Sequence, residues 1–236
     1  MAEILITEND YGKNNLLYLK YCLNEIFIRT GAVITEKENG RKDLCITCKE
    51  SYQDVLRAEI FDKIAEIIAV KYKYDFFRKT IRVSGLKNSE YEILMASLIA
   101  ADLEEDKKYC YHKLTGLKDV NIDGFYNFML CPLKRKWLDI TSYMPATFIN
   151  SQLKDFVTFL LENKKKRAYV DSGKVYDCHF RRLKRTFLLD GDNAKIIREI
   201  ILSNSGEVEI SGSLEPEDEY YLKEFYKDKI YFSHGN

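Results

Sequence analysis

The spacing of apolar residues predicts the elements in chain order. Ile4-Leu5-Ile6 is a short apolar run with the pattern of a buried strand. Leu16, Leu19, Leu23, Ile26 and Phe27 recur at helical spacing and form one stripe. Gly31 ends that helix where a left-handed backbone costs little. Asn39-Gly40 between two strand-like runs predicts a two-residue hairpin turn. Its second arm, Asp43 to Cys48, alternates with Leu44, Ile46 and Cys48 on one face. Leu56, Ile60, Ile64 and Ile67 mark a second amphipathic helix packed on that sheet. Residues 1–83 thus read as a βαββα unit.

From 84 to 167 the period is helical. Ser89 with Glu92 three positions later predicts a capping box. Apolar residues on nearly every face from Ile93 to Leu103 predict a central helix. Asp123 is expected to cap the next helix, with Phe125 and Phe128 inward, and Pro132 to kink or end it. Ile149, Leu153, Phe156, Val157, Leu160 and Leu161 stripe a further helix. Lys164-Lys165-Lys166-Arg167 is expected to close it, cations opposing the C-terminal dipole.

From 168 to 236 the pattern predicts ββαβαβ. Tyr176, Cys178 and Phe180 alternate on one strand, and Thr186 to Leu189 forms a second. Asp190-Gly191-Asp192-Asn193 turns into a helix with Ile196, Ile197 and Ile200, followed by a strand with Val208 and Ile210. Pro216 among acids starts the last helix, and Ile230 and Phe232 lie on a final strand. The class is α+β.

Composition narrows the function. A chain of 236 residues with 46% hydrophobic and 31% charged residues is an ordinary globular sequence. At this size folding buries on the order of 70–75% of the unfolded surface, so no disulfide or metal is needed. The net charge of zero argues against whole-molecule attraction to nucleic acid or an anionic membrane. The charge is unevenly spread, however. Residues 131–190 carry thirteen Lys/Arg against six Asp/Glu, while 191–236 carry five against ten. No apolar run approaches the ~20 residues of a membrane span. The start, Met-Ala-Glu-Ile-Leu-Ile-Thr-Glu, has no signal-peptide pattern. A cytoplasmic protein with reduced thiols and no membrane partner is the expectation.

Motifs for chemistry are sparse. Cys45-Ile46-Thr47-Cys48 lacks a second Cys/His pair at zinc spacing, and its predicted strand points the two thiols to opposite faces. The three histidines, His112, His179 and His234, have no adjacent nucleophile that could face them. Asp190-x-Asp192 resembles a calcium loop without its other ligands. No glycine-rich phosphate cradle is present. No catalytic residue, metal site or cofactor is expected. One feature stands out electrostatically: Lys134-Arg135-Lys136, Lys164-Lys165-Lys166-Arg167 and Arg181-Arg182-Leu183-Lys184-Arg185, with Tyr176, Phe180 and Phe187 nearby. Such cations with aromatics have the physics of phosphate contact and base stacking. The alternatives are a protein-facing patch or solvated helix ends and turns.

From residue 60 onward the order of features resembles the YtxC-like sporulation proteins of spore-forming Firmicutes. The segments that carry it are 60–68, Ser89-Glu90-Tyr91-Glu92-Ile93-Leu94, Asn121-Ile122-Asp123-Gly124-Phe125, Gln152 to Leu161 and Phe187-Leu188-Leu189-Asp190. Asp123, Gly124, Phe125 and Phe128 form the signature. Met129 stands where the family has arginine, and Cys131-Pro132 interrupts its helix. The resemblance implies a cytoplasmic protein of spore formation and implies no reaction. The expectation is therefore a non-enzymatic protein acting through an unknown protein partner. The alternative is a nucleic-acid-binding module using the basic region 134–185, and a third reading is an enzyme whose groups come together from positions distant in sequence.

Overall fold

The computed structural model describes residues 1–9, 14–38 and 40–233. Its segments group into two units, Met1–Lys73 with Glu104–Leu138 and Tyr74–Leu103 with Asp139–Asn236. The chain is α+β. The cuts fall at 73/74, 103/104 and 138/139, so each unit draws on separated stretches of sequence, whereas the hydrophobic pattern marks 83 and 167.

In the first unit β1 (Ala2–Glu8) runs antiparallel to β3 (Lys42–Cys48) and parallel to β4 (Val120–Asn121). β2 (Val33–Glu38) pairs with β3, giving the order β2-β3-β1-β4. The register sets Ala2 opposite Cys48, Ile4 opposite Ile46 and Ile6 opposite Leu44, all buried on one face. A slip of one residue would turn that whole set outward. Helix α1 (Asn15–Thr30) buries Leu16, Leu19, Leu23 and Phe27 and ends at Gly31, φ +62°. Helix α2 (Glu50–Ile67) packs on α1 and β1 and buries Leu56, Ile60, Ile64 and Ile67. It continues through a π-helical turn, Ile68–Tyr72, into α3 (Lys73–Thr80). The expected βαββα order is the observed one. Asn39 of the expected turn lies outside the described residues.

The signature segment departs from expectation. Asn121, not Asp123, caps the three-residue helix α6 (Ile122–Gly124), its Oδ1 accepting the Gly124 N–H at 2.6 Å. Asp123 instead accepts from the Asn9 N–H at 2.8 Å and the Tyr72 hydroxyl at 2.7 Å, tying α6 to the end of β1. A π-helical turn follows at Phe125–Met129, with Phe125 buried and Phe128 82% exposed. The wider turn rotates Phe128 away from the face that Phe125 shares with the core. Pro132 lies in the first turn of α7 (Cys131–Ser142), where its missing N–H has no helical partner to lose. Helix α5 (Leu103–Leu114) contributes Asp106 to a buried cluster. Lys73 Nζ and Trp137 Nε1 each lie 2.8 Å from Asp106 Oδ2, and Lys136 Nζ lies 2.9 Å from Oδ1.

In the second unit α4 (Asn88–Ala100) is buried on every face, as its continuous apolar pattern predicts. Its cap is offset from the expected box. Glu90 Oε2 accepts the Lys87 N–H at 2.8 Å, while the Ser89 hydroxyl donates to Glu217. Helix α8 (Asn150–Leu161) buries Leu153, Val157 and Leu161 and ends before Lys164. Arg167 therefore does not close the helix but opens β5 (Arg167–Asp171). β5 pairs antiparallel with β6 (Lys174–Tyr176) and parallel with β7 (Glu207–Ser211), which pairs parallel with β8 (Ile230–Phe232). Helices α9 (Lys195–Leu202) and α10 (Pro216–Tyr226) are the two crossovers. The order is β6-β5-β7-β8.

The ββαβαβ succession holds, but its first two strands are displaced. The chain leaves β6 at Tyr176 because the Asp177 carboxylate accepts the N–H groups of His179 and Arg181, each at 2.9 Å, and curls the segment into a turn. Residues 185–188 form a 3-10 turn rather than a strand. The buried Glu199 carboxylate takes the backbone N–H groups of Arg185 and Thr186 at 2.8 and 2.7 Å, donors that a ladder would require.

Candidate functional site

Strand alternation in the second sheet produces two unlike faces. Ala168, Val170, Val208 and Ile210 point one way and are buried. Arg167, Tyr169 and Asp171 of β5, Glu207, Glu209 and Ser211 of β7, Lys174 and Tyr176 of β6 and Tyr231 of β8 share the opposite, solvent-reached face. The register lines up Tyr176, Tyr169, Glu209 and Tyr231 in one row across four strands. Asp171 and Ser211 pair in the next row, at the carboxyl ends of the parallel strands. Ligands of open sheets with parallel strands settle at such ends.

A crevice of about 290 Å³ opens there, lined by Tyr169, Asp171, Tyr176, Phe180, Glu209 and Ser211, with Val170 at its base and Ser233 beside them. Phe180 forms one wall. Its ring stacks on Tyr169 at 4.5 Å between centroids and 29° between planes, while 68% of the residue stays exposed. Phe180 sits at φ +57°, a strained conformation for a bulky residue, held by the Asp177 turn. Arg181 extends that turn's support: its Nε lies 2.9 Å and one terminal nitrogen 2.8 Å from Asp177 Oδ2. Burial opposes ionisation of Asp177, yet the N–H groups and guanidinium of Arg181 outweigh it and hold the carboxyl below its ordinary value.

Beside the crevice the same face already binds a guanidinium internally. Arg167 lies over the Tyr231 ring at 4.3 Å, with Glu207 Oε2 at 2.8 and 3.0 Å and Glu209 Oε2 at 3.2 Å. Glu207 chiefly, opposed by burial and aided by Glu209, raises the Arg167 pKa further.

Several of the sequence-predicted basic residues are occupied within their own units. Lys134, Arg135 and Lys136 belong to the first unit, on α7. Lys134 donates to the Asn127 carbonyl at 2.9 Å and lies over the Tyr126 ring, and Lys136 pairs with Asp106. The others belong to the second unit. Arg167 and Arg181 are paired as above, and Arg185 reaches the Leu202 carbonyl at 2.5 Å. Lys165, Lys166 and Arg182 are exposed, with Lys164 and Lys184 half-buried. The aromatic Phe180 and the cations of the 181–185 turn are adjacent, as the sequence reading had them. Tyr169, Asp171, Glu209 and Tyr231 were missed, although Tyr169-Val170-Asp171 and Val208-Glu209-Ile210 carry the alternation of half-buried strands.

The remaining motifs lie apart from this face or in its flanking turn. β3 turns Cys48 into the core beside Leu44 and Ile46 and leaves Cys45 on the other face. Cys110 is buried, and burial first, then the Asp106 carboxylate, pushes its thiol up to about 12. Cys178 and His179 lie in the Asp177 turn rather than on a strand, and His234 lies outside the described residues. Among the described residues no group of three or more His, Cys, Asp or Glu is arranged to hold a metal, and no helix is long and apolar enough to cross a membrane. Comparison with family models, curated proteins and solved structures finds no match.

Proposed function

We propose that this protein acts by docking a protein partner on the solvent-reached face of its C-terminal sheet, in the cytoplasm of a spore-forming bacterium. The observation that carries the docking reading is the row of Tyr176, Tyr169, Glu209 and Tyr231 capped by an exposed, strained Phe180. Large aromatics held outward on a rigid sheet are the anchors from which interfaces draw most of their energy. Tyr169 and Phe180 stack on each other and Arg167 covers Tyr231, so these rings lose little entropy on binding. The setting in spore formation rests on the resemblance of residues 60–236 to YtxC-like proteins. Its test is the yield of heat-resistant spores in the host after gene deletion, and after Tyr169→Ala with Phe180→Ala at normal protein level. The reading expects both to fall; normal sporulation on deletion would remove it.

A second reading, nucleic-acid binding, draws on the exposed Arg182 and Lys166 and on the stacked Tyr169–Phe180 pair. The three carboxylates on the same face, Asp171, Glu207 and Glu209, oppose a phosphate backbone. This reading expects affinity for single strands that drops steeply with salt and with Lys166→Glu or Arg181→Glu.

A further inference from the structure

We infer that the crevice between Phe180 and Glu209 receives the guanidinium of an arginine on the docked partner; this rests on the docking reading above and adds the chemistry of the contact. The face contains its own example of such a contact. Arg167 is held by one aromatic ring, Tyr231, and by the carboxylates of Glu207 and Glu209. One column away the same types of group converge around an open volume: the rings of Tyr169, Phe180 and Tyr176, and the carboxylates of Asp171 and Glu209. A planar cation lying on an aromatic ring while its N–H fork meets carboxylate oxygens satisfies both surfaces at once. Asp171 Oδ1 accepts only a local bond from the Ser172 hydroxyl at 3.0 Å in the described structure, which leaves carboxylate lone pairs for an incoming donor.

Charge sets the sign of the occupant. The crevice lining carries two carboxylates, Asp171 and Glu209, and no lysine or arginine among the described residues, although the wider face sets Asp171, Glu207 and Glu209 against Arg167, Lys174 and Arg182, the last bridged to Tyr176. Arg167 answers Glu207 directly and shares Glu209, while Lys174 stands across the strand pair from Asp171 without an ion pair to it, so Asp171 is the lining carboxylate open to an incoming cation. A volume near 290 Å³ admits a guanidinium with part of its stem but no folded element. A nucleobase could stack on Phe180, but its phosphates would be brought towards these carboxylates, so arginine is the better fit.

The test is an NMR titration of the full chain, labelled at phenylalanine, with the peptide Ac-Gly-Arg-Gly-NH2 and its neutral citrulline isostere. The arginine peptide should shift the Phe180 ring saturably, and the citrulline peptide should bind at least fivefold more weakly. Phe180→Ala, read on the remaining rings and by calorimetry, should weaken the arginine peptide about twofold to fivefold, as the loss of an exposed cation–π contact does. Asp171→Asn should weaken it and flatten its salt dependence. Equal binding of both peptides, indifference to both variants, or a response of Phe180 to oligouridylate but not to arginine would overturn the inference. If the arginine peptide fails while the Tyr169→Ala, Phe180→Ala strain still sporulates poorly, docking stands and the guanidinium falls. If the peptide binds as expected and that strain sporulates normally, the guanidinium stands and the role in spore formation falls.

Discussion

Asp106 gathers three side chains of the first unit around one buried carboxylate. It and Lys73 are fully buried, and the same carboxylate accepts Trp137 Nε1 and meets Lys136. Removing one member of such a pair leaves a buried charge unanswered, whereas replacing both with apolar groups does not. Asp106→Ala should therefore cost about 3–5 kcal/mol, and Lys73→Met with Asp106→Leu should recover only part of it, because the buried Trp137 N–H still lacks its acceptor. Urea unfolding followed by Trp137, the one tryptophan in the sequence, reads both; equal stability of Asp106→Ala and the parent would contradict the assignment. Asp177 gives a pH dependence. A carboxyl held below its unfolded value stabilises its turn above that value and loses the contribution as pH falls through the folded value. The turn that presents Phe180 should thus loosen below about pH 4, near the unfolded aspartate value. Amide exchange at His179 and Arg181, corrected for intrinsic rates, should speed up there, and Asp177→Ala should do the same at neutral pH. Constant protection down to pH 3 would exclude Asp177 as the clasp.

Among the elements, the β5–β7 pair is positioned by a glycine. Gly206 donates to the Lys166 carbonyl at 2.9 Å, and a Cβ built on it would run into the Lys164 carbonyl. Gly206→Ala should cost about 1–3 kcal/mol, because backbone rather than a pliable side chain must give way. A thermal melt unchanged by this substitution would show that the strand start can relax. This close approach has no sequence pattern, since it depends on where residue 164 lies in space. The helices were far more legible. α2 buried its whole stripe, α1 all of its stripe but the half-buried Ile26, and α8 the Leu153, Val157 and Leu161 part of its own with Ile149 left exposed, because an amphipathic face is a local property of the chain. The first two strands expected after α8 were not, whereas β7 and β8 fall where Val208 with Ile210 and Ile230 with Phe232 mark them. Tyr176 to Phe180 has a strand's alternation, but Asp177 captured the backbone donors; Thr186 to Leu189 has one too, but Glu199 captured them. Side chains that compete for N–H groups override alternation, and Glu199 does so from thirteen residues beyond Thr186.

For the molecule taken together, the discontinuous make-up of the units has a direct consequence. Residues 1–83 look self-sufficient as βαββα, yet β1 takes β4 from residues 120–121 and Lys73 takes its counter-ion from Asp106. A fragment of residues 1–83 should therefore lack a cooperative unfolding transition and give a poorly dispersed amide spectrum, whereas the full chain unfolds cooperatively. A cooperative transition in that fragment would show that β1, β3, α1 and α2 suffice. The periods of 2 and 3.6 residues sufficed to tell the α+β class, the βαββα and ββαβαβ successions, and the apolar side of α1, α2 and β3. They did so because these depend on neighbours a few positions apart. Which sheet face stays wet, which carboxylate seizes which backbone donor, and which distant segments complete a unit were settled only by the folded chain. Those depend on groups tens of residues away, and no local pattern records where such groups will lie.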